Sequence, residues 1–322
     1  MGQMVDGQWR REDQLVASGD RFERAATKFH GRIEPGGRFP PEAGRYHLYV
    51  SLACPWAHRA LILRKLKKLE GMISLSVTHW LMAENGWSFE PGEGVVPDAV
   101  GGARYLHEVY AKADPNFTGR VTVPVLLDKR SGQIVNNESS EIIRFFNSAF
   151  DAVGAAPGDF YPEPLRAEID RVNARVYDTL NNGVYKAGFA RSQAAYEAAV
   201  GPLFDTTDWL EDRLSHQPFL CGDIVTEADW RLFTTLVRFD AAYHGHFKCN
   251  LRRLIDYPAL WDYARALYQV PGVAETVDLG HIKRHYYMSH TTLNPSRIVP
   301  IGPALDFGAP VSQRRAAPSW AA

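Results

Sequence analysis

Cys54 is followed by Pro55 in the stretch SLACPWAHRALILRKL (residues 51–66), where an apolar, strand-like run gives way to helical spacing. Proline is tolerated at the first position of a helix because the N–H it lacks would have no partner there. Cys54 is then expected at the N-cap, beneath the free amides and the positive end of the helix dipole. Helix N-termini favour the thiolate, the nucleophilic form of a cysteine. The competing explanation is an inert cysteine that happens to end a strand, and for an isolated cysteine that explanation would be preferred. The strand-Cys-Pro-helix setting favours reactivity.

What is missing nearby narrows the chemistry. A dithiol oxidoreductase carries a second cysteine three positions on, but here the stretch runs Cys54-Pro55-Trp56-Ala57. Ala57 cannot resolve a mixed disulfide, so a derivatised Cys54 must be released by an external thiol, for which glutathione is the abundant cytoplasmic candidate. Two further features suit a bound tripeptide. A cis Val123-Pro124 bond would turn the backbone of Val123 outward to pair with an extended peptide. Glu138-Ser139 opens a helix, so that the amide and hydroxyl of Ser139 can hold a carboxylate while Glu138 accepts from an ammonium. Val-Pro and Glu-Ser are each common, and their order after Cys54 is what carries weight.

The elements that must position these residues follow from hydrophobic pattern. YHLYVSL (46–52) reads as a strand, AHRALILRKLKKL as a helix and MISLSVTHW as a second strand, a βαβ unit. A Gly- and Pro-rich insertion runs from Leu81 to about Gly119. VTVPVLLD and QIVNN, joined by the KRSG turn, form a hairpin, and ESSEIIRFFNSAF is a helix with its apolar stripe at Ile142, Ile143, Phe145 and Phe146. This βαβ-ββα order is that of a thioredoxin-like domain. From Leu165 to about Tyr287 the periodicity is helical, with Ile169, Val172, Val176 and Leu180 on one stripe and Thr226 and Asp229 spaced as a capping box. The expected organisation is α/β plus all-α: an extension over 1–45 laid on the surface, with only DRFERAATKF hinting at a structured piece; a thioredoxin-like domain over 46–150; a linker over 151–164; an all-helical domain over 165–290; and an extended tail over 291–322.

The 322 residues, 45% hydrophobic and 23% charged, suffice for two cores. Lys plus Arg (36) balance Asp plus Glu (37), which disfavours nucleic acid or an anionic membrane as partner and favours a small molecule. Neither a membrane span nor the apolar core of a secretory signal is visible, and three scattered cysteines suit a reducing compartment, so a cytoplasmic location is expected.

Six stretches in order resemble the glutathione transferase superfamily, and within it the Xi-class glutathionyl-hydroquinone reductases: MGQMVDGQW, LACPWAHRALILRKLK, TVPVLLD with IVNNESSEIIR, YDTLNNGVYKAGFA, LCGDIVTEADWRLFTTLVRFD and HIKRHYYMSHTTLNPSRIVPIGP. The resemblance covers nearly the whole chain. It implies a helical glutathione-transferase C-terminal domain, glutathione as co-substrate, and Cys54 as the nucleophile that forms a disulfide with it. Trp87 and Arg120 would flank the γ-glutamyl half, Val123 would pair with the tripeptide backbone, and Glu138 and Ser139 would hold its charged ends. Tyr177, Tyr185 and Tyr286 would bind the oxygens of an aromatic substrate, with Tyr185 and Tyr286 the catalytic phenols. A homodimer formed through the helical domain is implied as well.

Simpler roles compete for several of these residues. The pairs Cys54/His58 and His281/His285 have metal-like spacing, but no further ligand matches and no metal is expected. His58 is expected to pack within its helix, Cys221 and Cys249 to be buried and unreactive, and the RKLKK run to form a solvated helix face. Trp56 and Trp87 could be core residues, the tyrosines of VYDTLNNGVYK could form a core stripe, and Tyr287 could stand in for Tyr286. Two other functions remain open: a general glutathione-dependent thiol transferase or dehydroascorbate reductase, and a non-catalytic transferase-like binding module.

Overall fold

The computed structural model describes residues 2–11 and 19–322. These form two units: one of residues 2–11 with Ala25–Pro157 and Gly280–Arg297, the other of residues 19–24 with Gly158–Leu279 and Ile298–Ala322.

The first unit is built on a four-stranded mixed sheet. β3 (Tyr46–Val50) pairs in parallel with β4 (Ile73–Val77), the two joined through helix α1 (Pro55–Leu66). On its other side β3 meets β5 (Val125–Asp128) antiparallel, and β5 continues to β6 (Gln133–Asn136), giving the order β4-β3-β5-β6. Leu48 stands opposite Leu75 on one side and Leu126 on the other. Every residue of β3 is buried, as expected of a central strand covered on both faces. Helix α3 (Ser139–Ser148) buries Ile142, Ile143, Phe145 and Phe146, the stripe its spacing predicts.

Several features depart from the expected pattern. The Gly- and Pro-rich insertion contains a helix, α2 (Leu106–Ala113), which buries Leu106, Val109 and Tyr110 at helical spacing. The N-terminal extension is more than a surface wrap. Its first residues form a hairpin of β1 (Gln3–Val5) and β2 (Gln8–Arg10), with Met4 buried and paired through its backbone with Gly119. Its later residues cover the edge strand: Gly31 N–H donates to Val135 O, and Phe29 and Asn137 exchange hydrogen bonds. DRFERAATKF, the stretch that hints at a structured piece, forms no regular helix or strand. In RKLKK, Lys67 is fully buried and paired with Asp151 at 2.9 Å, and Arg64 donates to Ile73 O, so this run closes the end of α1 instead of facing solvent.

The second unit is helical: α4 (Arg166–Val176), α5 (Gly183–Gly188), α6 (Gln193–His216), α7 (Glu227–Arg238), the short α8 (His244–His246) and α9 (Pro258–Tyr268). Thr226 and Asp229 form the expected capping box at α7. The buried Asp229 carboxylate also accepts from Leu220 N and Tyr263 OH, so one side chain joins a loop and two helices. Pattern reading missed two π-helical turns, Tyr177–Asn181 and Phe239–Tyr243. The extended tail of this unit is anchored by buried Arg315, which donates to Asp262 at 2.8 Å.

Helix α10 (Leu279–Ser289) differs from its expected assignment to the helical domain, because its contacts place Gly280–Arg297 with the first unit. His281 bonds Glu93 O, Arg284 pairs with the Glu93 carboxylate, His285 bonds Trp80 O, and Ser289 accepts from Met82 N. These partners all lie in the segment after β4.

Candidate active site

Pro55 is the first residue of α1 and Cys54 its N-cap, in extended conformation, as the sequence requires. The cysteine is half-buried, and its thiol donates to Val123 O at 3.5 Å. The Val123-Pro124 bond is cis. The strand-to-helix turn and the approach to β5 therefore converge on one sulfur. The other two thiols are different: both are buried, and burial pushes Cys221 up to about 12 and raises Cys249 as well. Thiols held in that way stay protonated and inert.

The helix-start pair is placed as expected in part. Glu138 is the N-cap of α3, but its Oε1 is already engaged, accepting from Ser140 N at 3.0 Å and Ser140 Oγ at 2.9 Å. Its Oε2 accepts from Thr27 Oγ1 at 3.5 Å. Ser139 is the first helical residue, and its Oγ accepts from Arg59 Nη1 at 3.4 Å. Buried Arg59 also packs its guanidinium over the Trp56 ring, 4.4 Å from the centroid, and so links the first turn of α1 to the first turn of α3. Arg59 and Thr27 carry no motif signal; only the fold brings them to these positions.

Trp87 is buried, with its ring stacked on His285 at 4.9 Å. His285 also lies edge-on to Tyr286 at 5.4 Å, so α10 brings Tyr286 into the same cluster as Trp87. Tyr286 is itself only 1% exposed, whereas Tyr287 is partly exposed. Arg120 is half-buried and follows Gly119, whose backbone is held by Met4. His281 and His285 spend a ring nitrogen each on a backbone carbonyl, and among the described residues no group of three or more His, Cys, Asp or Glu could hold a metal ion.

Tyr177 and Tyr185 belong to the second unit. Eight residues apart, they would differ by about 80° around an unbroken α-helix. The π turn at Tyr177–Asn181 inserts one residue, which makes them effectively seven apart and brings them within about 20° of one another. Tyr177 is exposed and Tyr185 partly so, which argues against a pure core stripe.

A thioredoxin-like sheet with a cysteine at the N-cap of its first helix, followed along the chain by an all-helical unit, is the domain order of glutathione transferases. The chain belongs to the glutathione transferase family, and to its Xi class: residues 53–149 match the glutathione S-transferase N-terminal domain and residues 193–266 the C-terminal domain. It is 59% identical over 305 residues to glutathionyl-hydroquinone reductase PcpF of Sphingobium chlorophenolicum, across 94% of this chain and 97% of that one. It is 51% identical to glutathionyl-hydroquinone reductase YqjG of Escherichia coli K12, across 96% and 98% of the two chains. Among solved structures, a Xi-class transferase from Natrialba magadii superposes with a TM-score of 0.93 at 48% identity, covering 99% of this chain and 98% of that one. The glutathione-bound structure of YqjG superposes with a TM-score of 0.89 at 49% identity, over 96% and 98%.

Proposed function

We propose that this chain reduces glutathionyl-hydroquinones to hydroquinones through a mixed disulfide between Cys54 and glutathione. The observation that carries the proposal is the half-exposed Cys54 at a helix N-cap, with Ala57 where a resolving cysteine would stand and the other two thiols buried. Two relatives that are more than half identical to this chain bear the name of that activity.

In the first half-reaction the Cys54 thiolate attacks the sulfur of the substrate's glutathionyl group. An S–S bond forms as the ring C–S bond breaks, and the electron pair of the broken bond passes to the ring. A proton delivered to the ring carbon, through the keto tautomer of the hydroquinone, makes that departure feasible, and Tyr185 and Tyr286 are the phenols assigned to supply it. In the second half-reaction a glutathione thiolate attacks the mixed disulfide, giving oxidised glutathione and returning Cys54 to the thiolate. For each hydroquinone released one glutathione is consumed, its thiol proton balancing the proton delivered to the ring and its sulfur leaving in oxidised glutathione.

Glutathione is assigned to Trp87, Arg120, Val123, Glu138 and Ser139, with Tyr177, Tyr185 and Tyr286 facing the substrate's ring oxygens. No metal takes part, the enzyme acts as a homodimer, and a reducing cytoplasm supplies the thiol. Among the described residues no helix is long and apolar enough to cross a membrane.

The test is mass spectrometry after incubation with a glutathionylated hydroquinone and no free glutathione. Addition of one glutathione at Cys54, with one hydroquinone released, is the expected result. Release of hydroquinone without any adduct, or full activity of Cys54→Ser, would remove the proposal.

A further inference from the structure

We infer that Arg24, from the N-terminal segment, is a positioning residue that sets the acidity of the Tyr185 phenol. The inference deepens the function proposed above and rests on its assignment of Tyr185 as a proton donor.

Residues 20–24 belong to the helical unit and run along α5. The Phe22 ring stacks on Tyr185 at 6.0 Å and meets Phe189 at 5.6 Å. The Arg24 guanidinium lies 4.9 Å from the Tyr185 centroid, and its Nε donates to Asn182 Oδ1 at 2.7 Å. Asn182 closes the π turn that aligns Tyr177 with Tyr185, so the arginine is aimed by the same backbone irregularity that places the phenols. The segment is fixed at its other end, where Asp20 O accepts from Arg191 N at 3.0 Å and the Asp20 carboxylate accepts from Ser192 Oγ. Ser192 is the N-cap of α6.

A guanidinium over an aromatic face attracts the ring's quadrupole, and it attracts the ring more strongly once the phenol has ionised. Arg24 therefore favours loss of the Tyr185 proton. Other ionisable groups lie on the elements packed against Tyr185. Asp178 and Lys186 form an ion pair at 2.6 Å, and Asp240 accepts from the amides of Leu254 and Ile255. His246 lies against Phe247, and Asp20 is held by Ser192. Arg21, Glu23, His244 and the phenols Tyr177 and Tyr243 also lie on these elements. The remaining neighbours of the ring, Phe189, Tyr243 and Phe247, are aromatic. An anion formed at Tyr185 would lie beside the Arg24 guanidinium, in a setting that is otherwise largely aromatic. A stronger phenolic acid gives up its proton faster to a carbon base of fixed basicity.

The test compares wild type, Arg24→Gln and Arg24→Lys by titrating tyrosines labelled with 13C at Cζ, the Tyr185 resonance being assigned from Tyr185→Phe. The midpoint of Tyr185 should rise by roughly half a pH unit in Arg24→Gln and stay near the wild-type value in Arg24→Lys. Hydroquinone release in a single turnover at pH 7 should slow about two-fold in Arg24→Gln, with the alkaline limb of its pH profile displaced upward by the same interval as the midpoint. A midpoint that does not move in Arg24→Gln, or that moves equally in both variants, overturns the inference, because a segment that merely packs would weaken stability without following the charge. Full turnover by Tyr185→Phe would instead remove the donor assignment, while the titration would still judge the field at the phenol on its own.

Discussion

Cys54 Sγ lies 3.5 Å from the carbonyl oxygen of Val123, so the N-cap of α1 and the residue before β5 meet at a single sulfur. The neutral thiol donates to that carbonyl. A thiolate has no proton to donate, and a helix N-terminus is a setting that favours the ionised form. Ionisation therefore ends the donation to Val123 O.

Of the three thiols, Cys54 should react with a disulfide reagent at pH 8 as a single fast equivalent, with Cys221 and Cys249 appearing only in denaturant. Burial keeps those two protonated. Cys54→Ser should abolish the fast phase and reduce kcat/KM by on the order of 10³-fold or more, since both half-reactions pass through this sulfur. A fast equivalent that survives in the serine variant would show the wrong thiol has been chosen.

Glu138 caps α3, and under the proposed function its carboxylate also holds the α-amino group of glutathione. Glu138→Ala should cost about 1 kcal/mol of stability through the lost cap and should also raise the KM for glutathione. Glu138→Asn, which can still cap, separates the jobs: thermal unfolding should return toward wild type while KM stays high. Recovery of both together would assign Glu138 to the helix alone.

His47 lies buried in β3, with its ring nitrogens against Ser74 Oγ and Ser76 Oγ at 2.7 and 2.9 Å. Burial lowers its pKa to about 4. The unfolded chain, with a histidine near 6.5, then binds the extra proton first as pH falls, so stability is retained above that value and lost between about 6.5 and 4. Chemical denaturation at pH 7 and pH 5 should differ by roughly 2 kcal/mol on this account, and His47→Asn should flatten the difference. An unchanged pH slope in the variant would place the acid sensitivity elsewhere.

Asp229 accepts four hydrogen bonds inside the helical unit. Asp229→Ala should cost roughly 3–5 kcal/mol, because it strands the Thr226 and Leu220 amides and the Tyr263 hydroxyl in a dry interior. Urea unfolding measures this directly, and a loss below about 1 kcal/mol would mean that water replaces the carboxylate.

Much of the site's chemistry was legible in the order of residues because it depends on local geometry. A proline after a cysteine at the end of an apolar run defines an N-cap, Thr226 with Asp229 defines a capping box, and the stripe of α3 defines a buried face, each within a few residues. Helix α2 was available to the same reasoning through Leu106, Val109 and Tyr110, but the glycines and prolines before it concealed it.

Residue order alone established the thioredoxin-like succession of strands and helices, the helical character of the second half, and the position of one cysteine at a helix start. These follow from periodicity and capping, which act over a single turn or strand. The tertiary structure alone decided that Arg59 joins the first turns of α1 and α3, that α10 packs with the insertion carrying Trp87, that Lys67 is buried against Asp151, and that Arg24 reaches Tyr185. Each of these contacts closes a long stretch of chain, and the entropy of closure is offset only once the intervening elements are packed, so no short window of residues records it.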